Sequence, residues 1–178
     1  MKQRGVTLWF TGLSGSGKTT ICRNVQETLR KRHIQVELLD GDVVRQHLTK
    51  DLGFSRQDRL TNIERVAFVA DLLSKHGVIT LASFITPFRE MQDHARRHIS
   101  SFREVYVQCP VEKCIERDVK GLYKKALKGE IQNFTGITDP YEPPRNPELI
   151  LRTDRESIAE SSQKVVRFLE EQGFIPKQ

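Results

Sequence analysis

A chain of 178 residues, 37% hydrophobic and 29% charged, has enough apolar surface for one packed domain and does not have the composition of a disordered polymer. Its longest apolar runs, such as "VITLASFI", are strand-sized, which excludes a helical membrane span. A formal charge of +6 calls for a polyanionic partner, a role that nucleic acid and a phosphorylated small molecule fill equally well. The opening "MKQRGVTLWF" runs straight into an apolar strand and is too short a preamble for a signal peptide. "VTLWFTG" (6–12) is that first strand, and "KTTICRNVQETLRKRH" (18–33) follows as a helix through Ile21, Val25 and Leu29. "QVELLD" is a second strand. "SRQDRLTNIERVAFVADLLSKHG" is a long helix opened by a capping box from Ser55 to Asp58 and closed by Gly77.

"VITLASF" is the third strand, and "PFREMQDHARRHI" a helix with Pro87 in its first turn. "REVYVQC" and "ELILRT" supply two more strands, and a final amphipathic helix ends at Gly173. This alternation implies a single α/β domain over residues 1–178, with a parallel sheet covered by helices on both faces. From Arg117 to Pro147 the periodicity lapses into turn residues with a basic start and interspersed Tyr123, Phe134 and Tyr141. A segment of that kind inside a compact domain reads as a mobile lid. Cys22, Cys109 and Cys114 form no C-x-x-C pair; they read as small buried residues of a protein in a reducing compartment.

"GLSGSGKT" (12–19) satisfies G-x-x-x-x-G-K-[ST] between a strand and a helix. Glycines at such a turn let consecutive backbone N–H groups face a polyphosphate, and the following helix adds its positive end. Gly12, Ser14, Gly15, Ser16, Gly17, Lys18, Thr19 and Thr20 are therefore candidate ATP-binding residues. Lys18 is placed at the β- and γ-phosphates, and Thr19 on Mg²⁺. A dinucleotide fingerprint fails because Thr20 stands where its third glycine belongs. Two function classes remain, a phosphotransferase and a nucleotide-dependent switch or nucleic-acid protein. The sequence has no N-K-x-D guanine reader and no RRM, KH or zinc-finger signature, and its basic lid favours a small-molecule kinase.

The next motif, "LDGDVVRQHL" (39–48), is ambiguous on its residues alone. Asp40 and Asp42 can order a metal or accept a proton from an acceptor hydroxyl, with Arg45 clamping an anion. They can equally be a capped helix start, with Asp42 as N-cap, Asp40 forming the turn and Arg45 solvated.

Taken with "GLSGSGKTT", "LGFSRQDRLTNIER", "ERDVKGLYKKALKGEI" and "NFTGITDPYEPPRNPEL", this motif resembles the adenylyl-sulfate kinase (APS kinase) family over residues 6–153. The resemblance implies a P-loop NTPase, nucleotide-kinase-like three-layer fold. It also implies transfer of the ATP γ-phosphoryl group to the 3′-hydroxyl of adenosine 5′-phosphosulfate in sulfate activation, with Mg²⁺. Lys18, Asp40, Asp42 and Thr86 are the catalytic candidates, with Thr19 and Asp40 assigned to the metal and Asp42 to the acceptor hydroxyl, a division between the two acids that the sequence leaves open. By the same resemblance Arg117 and Thr153 lie near the ATP adenine. Asp42, Arg45, Phe54, Arg59, Asn62, Ile85, Thr86, Lys120, Gly121, Leu122 and Phe134 bind the acceptor, Phe54 and Phe134 sandwiching its adenine. The assembly implied is a cytoplasmic homodimer that binds neither membrane nor nucleic acid. Two positions depart from the family's usual residues: Glu64 in "NIER" replaces a basic residue, and Thr86 in "FITP" replaces a serine.

Overall fold

The computed structural model describes residues 3–177. Five strands form one parallel sheet in the order β2-β3-β1-β4-β5: β1 Val6–Thr11, β2 Val36–Asp40, β3 Ile79–Ser83, β4 Phe102–Gln108 and β5 Leu149–Arg152. The helices are α1 Lys18–Lys31, α2 Gly41–His47, α3 Arg56–Lys75, α4 Arg89–His98, α5 Val111–Arg117, α6 Leu122–Leu127 and α7 Ile158–Glu171.

Central strand β1 is buried at every position, and its alternation sorts side chains into two cores. Val6, Leu8 and Phe10 pack with Ile21, Val25 and Leu29 of α1 and with Val165 and Leu169 of α7. Trp9 points to the other face, among Val66 and Ala70 of α3 and Met91 and Ala95 of α4. Helices thus cover both faces, giving the expected three layers. The strand order reverses at β1, whose carboxyl end runs into the glycine-rich loop, the place where open parallel sheets hold ligands.

Helix α3 starts and stops where its sequence signals lie. Ser55 Oγ accepts from the Asp58 N–H at 3.1 Å, and Gly77 sits beyond the helix end at φ 90°. The box is incomplete. The Asp58 carboxylate takes the Ser55 hydroxyl at 2.8 Å, being one methylene too short to return to the backbone N–H. At α7 the longer Glu160 completes the reciprocal pair with Ser157.

Three local expectations change. Pro87 does not occupy the first helical turn, because α4 begins at Arg89. The Pro87 carbonyl accepts from the Glu142 N–H at 2.8 Å, and the Glu142 carboxylate accepts from the Arg89 N–H at 2.7 Å, so a distant acid sets the start. Asp40, not Asp42, caps α2, its Oδ1 accepting from the N–H groups of Asp42 at 3.0 Å and Val43 at 3.3 Å. The segment 117–147 contains α6, which Asp118 initiates by accepting from the N–H groups of Tyr123 and Lys124, each at 3.0 Å. All three cysteines are buried and free. Burial pushes the Cys22 thiol well up, and burial beside Cys109 pushes Cys114 up to about 12, so both are inert thiols near neutral pH.

Candidate active site

The loop between β1 and α1 is shaped for close backbone approach. A Cβ at Gly12 would lie 2.5 Å from the Val107 carbonyl oxygen, and Gly17 caps α1 at φ 101°, in the left-handed region. Lys18, the first residue of α1, is buried and donates from Nζ to the carbonyls of Gly12 at 2.8 Å and Leu13 at 2.7 Å. Burial lowers its pKa to about 8. Thr20, also expected here, is exposed one residue beyond Thr19.

Other elements tie this loop down. Thr153 Oγ1 donates to the Ser16 carbonyl at 2.7 Å, and Arg117 donates to the Thr153 carbonyl and to the Gly15 carbonyl, the latter at 3.4 Å. The two residues expected near the ATP adenine are therefore in contact, beside the phosphate loop. Tyr123 of α6 donates its hydroxyl to the Ser14 carbonyl at 2.8 Å. Local sequence signals did not mark this contact, which spans 109 positions.

The two aspartates have different surroundings. Asp40 is buried, and its Oδ2 accepts the Thr19 hydroxyl at 2.8 Å; the Ser83 hydroxyl lies 3.3 Å from the same Thr19 oxygen. No local sequence signal marks Ser83, which ends β3 at the same edge of the sheet. Asp42 is exposed and pairs with Lys120, the residue that leads into α6. One acid is thus locked to the donor side, and the other reaches the 117–147 segment.

In the last turn of α2, Arg45 Nη1 donates to the carbonyls of Gly53 at 2.7 Å and Leu52 at 3.2 Å, with its guanidinium 4.6 Å from the Phe54 ring centroid. Arg59 Nε donates to the Phe54 carbonyl at 2.9 Å, its Nη1 donates to Thr135 Oγ1 at 3.0 Å, and its Nη2 lies 3.4 Å from Asp139. Burial lowers both guanidinium pKa values, and for Arg45 the nearby Arg59 charge adds to the effect. Two cations held this close make a place where an anion is welcome. Phe54 is 66% exposed, and with Arg59, Phe88 and Asp139 it lines a cleft of about 430 Å³.

The adenylylsulphate kinase family matches residues 4–152 of this chain. The adenylyl-sulfate kinase of Halothermothrix orenii is 59% identical over 173 residues, covering 97% of this chain and 94% of the relative. That of Rippkaea orientalis is 56% identical, covering 99% and 98%. The chain belongs to the adenylyl-sulfate kinase family. The Mycobacterium tuberculosis APS kinase CysC, solved in complex with AMPPNP and APS, superposes with a TM-score of 0.92 at 44% identity, covering 94% of this chain and 99% of that one. Shikimate kinase from Aquifex aeolicus shares only the fold, with a TM-score of 0.53 at 14% identity. As a member of this family the chain is an ATP-dependent phosphotransferase.

Several positions that the adenylyl-sulfate kinase resemblance placed on the acceptor have other partners in the structure. Thr86 is buried at φ 49°, its Oγ1 accepts from the Trp9 indole N–H at 2.9 Å, and its carbonyl accepts from Gln92 at 3.1 Å. Its oxygen is turned toward the core. Ile85 contributes its carbonyl, which accepts from Thr11 Oγ1 at 2.7 Å. Asn62 is buried and accepts the Thr49 hydroxyl at 2.8 Å, bracing the turn after α2. Phe134 packs edge-on against Tyr123, centroids 5.0 Å apart, and does not line the cleft beside Phe54. Gly121 caps α6 at φ 65°, and Leu122 is its first residue. Glu64 is exposed on α3, and its charge acts on His94 of α4.

Proposed function

We propose that the chain transfers the γ-phosphoryl group of ATP to the 3′-hydroxyl of adenosine 5′-phosphosulfate, giving 3′-phosphoadenosine 5′-phosphosulfate and ADP. The observation that carries the reading is the placement of the α2 start. Asp40 faces the phosphate loop through Thr19, while two residues later Asp42 pairs with Lys120 of the 117–147 segment, and Arg45 on the same short helix lies over Phe54, whose carbonyl accepts from Arg59. That arrangement supports in-line transfer, in which the acceptor oxygen attacks the γ-phosphorus as its bond to the β–γ bridging oxygen breaks.

Lys18 and the loop amides hold the transferring group, and Asp42 accepts the proton of the acceptor hydroxyl. Arg45 and Arg59 grip the phosphosulfate, Phe54 offers its exposed face to the adenine, and Thr86 shapes its turn through Trp9. Arg117 and Thr153 lie on the donor side, and residues 117–147 act as the lid. For Mg²⁺, the Thr19 hydroxyl and the Asp40 carboxylate are hard oxygen donors, with Ser83 oxygen adjacent. No cluster of three His, Cys, Asp or Glu forms a dedicated cage among the described residues. Such a donor set fits an ion that keeps most of its waters and shares the phosphates. Bound there, Mg²⁺ would neutralise charge on the β- and γ-phosphates. The family resemblance adds a homodimer, and buried free cysteines suit the cytoplasm.

An ATP-dependent assay offered adenosine 5′-phosphosulfate, AMP and nucleosides in competition tests the acceptor. Phosphosulfate should be preferred; preference for AMP would make this a nucleotide kinase, and no transfer would reopen the switch. Arg45→Ala should raise the acceptor KM about tenfold or more with ATP binding retained. A selective loss of ATP binding would reverse its assignment.

A further inference from the structure

Tyr141 lies in the second half of the 117–147 segment, within "NFTGITDPYEPPRNPEL", and no role has been assigned to it above. Its ring stacks on Tyr106 of β4, centroids 6.2 Å apart and planes 20° from parallel, and its hydroxyl lies 2.9 Å from Thr11 Oγ1. A threonine hydroxyl has one proton to donate. Thr11 spends that proton on the Ile85 carbonyl at 2.7 Å, so Tyr141 is the donor in the other bond. The result is a directed chain, Tyr141 O–H to Thr11 Oγ1 to the Ile85 carbonyl, whose members strengthen one another in a partly buried setting. Burial also pushes the Tyr141 phenol well up, so it stays a donor throughout the working pH range.

The three members occupy informative places. Thr11 is the last residue of β1 and precedes Gly12 of the phosphate loop, and the Gly12 N–H points at the same Ile85 carbonyl at 3.4 Å. Ile85 precedes Thr86, the turn on the acceptor side. The neighbouring Glu142 is stitched to that turn as well: its N–H donates to the Pro87 carbonyl at 2.8 Å, and its carbonyl accepts from Gln92 at 2.8 Å. Upstream, Asp139 faces Arg59 at 3.4 Å. One short stretch therefore touches the donor loop, the acceptor turn and an acceptor-side arginine.

We propose that Tyr141 is a positioning residue whose hydroxyl, through Thr11, keeps the phosphate loop in register with the turn at Ile85–Thr86 and ties both to the root of the lid. The kinetic part of this proposal rests on the transfer reaction proposed above. Loss of register does not abolish binding of either substrate; it misaligns acceptor oxygen and γ-phosphorus, and water competes for the phosphoryl group.

Tyr141→Phe keeps the ring and removes the donor. It should lower kcat about tenfold, leave both KM values within about twofold, and raise the ADP formed per acceptor phosphorylated above one. Thr11→Val should reproduce this, Thr11→Ser should restore coupling, and the double variant Tyr141→Phe/Thr11→Val should be no worse than either single one. Hydrogen exchange supplies a readout that needs no acceptor. Backbone amides at residues 9–17 and 83–90 should lose protection together in Tyr141→Phe. Unchanged kcat and stoichiometry, or additive losses in the double variant, would overturn the proposal, as would an exchange change confined to residues 139–143. An inactive wild-type chain would instead refute the acceptor reading, with the exchange result still deciding the role of Tyr141.

Discussion

Replacing Lys18 with alanine is expected to lower turnover about a thousandfold without lowering the melting temperature. The first half follows from charge. In a loose phosphoryl-transfer transition state the protein contributes positioning and electrostatics, and Lys18 is the cation seated inside the phosphate loop. The second half follows from burial. A lysine whose pKa falls from 10.5 to about 8 is being charged at a cost, about 3 kcal/mol at neutral pH. Alanine removes that cost but leaves the Gly12 and Leu13 carbonyls without their donor, about 1 kcal/mol each. The two changes nearly offset. Near-normal turnover would contradict the phosphate-loop reading, and a large fall in melting temperature would show the lysine to be a structural strut.

The same residue sets a pH dependence whose sign can be worked out. The folded-state pKa lies below the unfolded value, so in the free protein stability rises from about pH 8 to 10.5 as the buried charge is lost. Nucleotide binding runs the other way. Phosphates favour charged Lys18, so binding takes up a proton above pH 8, and ATP affinity should fall by up to about tenfold per pH unit there. Titration with a non-hydrolysable analogue at pH 7 and 9.5 checks this, and Lys18→Ala should flatten the profile.

The sequence carried the parallel sheet and the donor loop because both depend on local chemistry. Strands such as Val6–Thr11 are continuous apolar runs, and the glycine pattern of 12–17 admits few backbone paths. Ser55 and Gly77 bracketed α3 for the same reason. Short helices were harder to see. Helices α5 and α6 have seven and six residues, too few to show a periodicity, and α6 depends on Asp118 outside it. The α2 start was undecidable by register, since an aspartate on either side of Gly41 is a good cap. Least legible were the long-range partners. Tyr123 on Ser14, Tyr141 on Thr11, and Glu142 on Arg89 join positions at least 53 apart, and tertiary packing alone brings them together. The partner of the Thr86 hydroxyl is illegible for a related reason: it is an indole 77 residues away.

Asp42→Asn should lower kcat by about a hundredfold or more while leaving ATP affinity within about twofold, the size expected when a positioned proton acceptor is lost. Geometry separates this residue from its neighbour. Asp40 has both oxygens in use, one capping α2 and one on Thr19, so Asp40→Asn should keep the cap through its amide oxygen, since Asn and Asp cap about equally well, and should weaken nucleotide binding through the Thr19 side. Asp42 makes no cap and presents an exposed carboxylate to Lys120. The competing account is that Asp42 serves only to pin the lid through that lysine. An exposed ion pair contributes at most about 1 kcal/mol, equivalent to a fivefold effect, too little for a hundredfold loss. Lys120→Ala therefore decides between them. If Asp42 accepts the acceptor proton, Lys120→Ala should be much milder than Asp42→Asn in kcat and should act mainly on the acceptor KM. Equal losses in the two variants would reduce Asp42 to a lid contact, and unchanged turnover in Asp42→Asn would remove it from the chemistry.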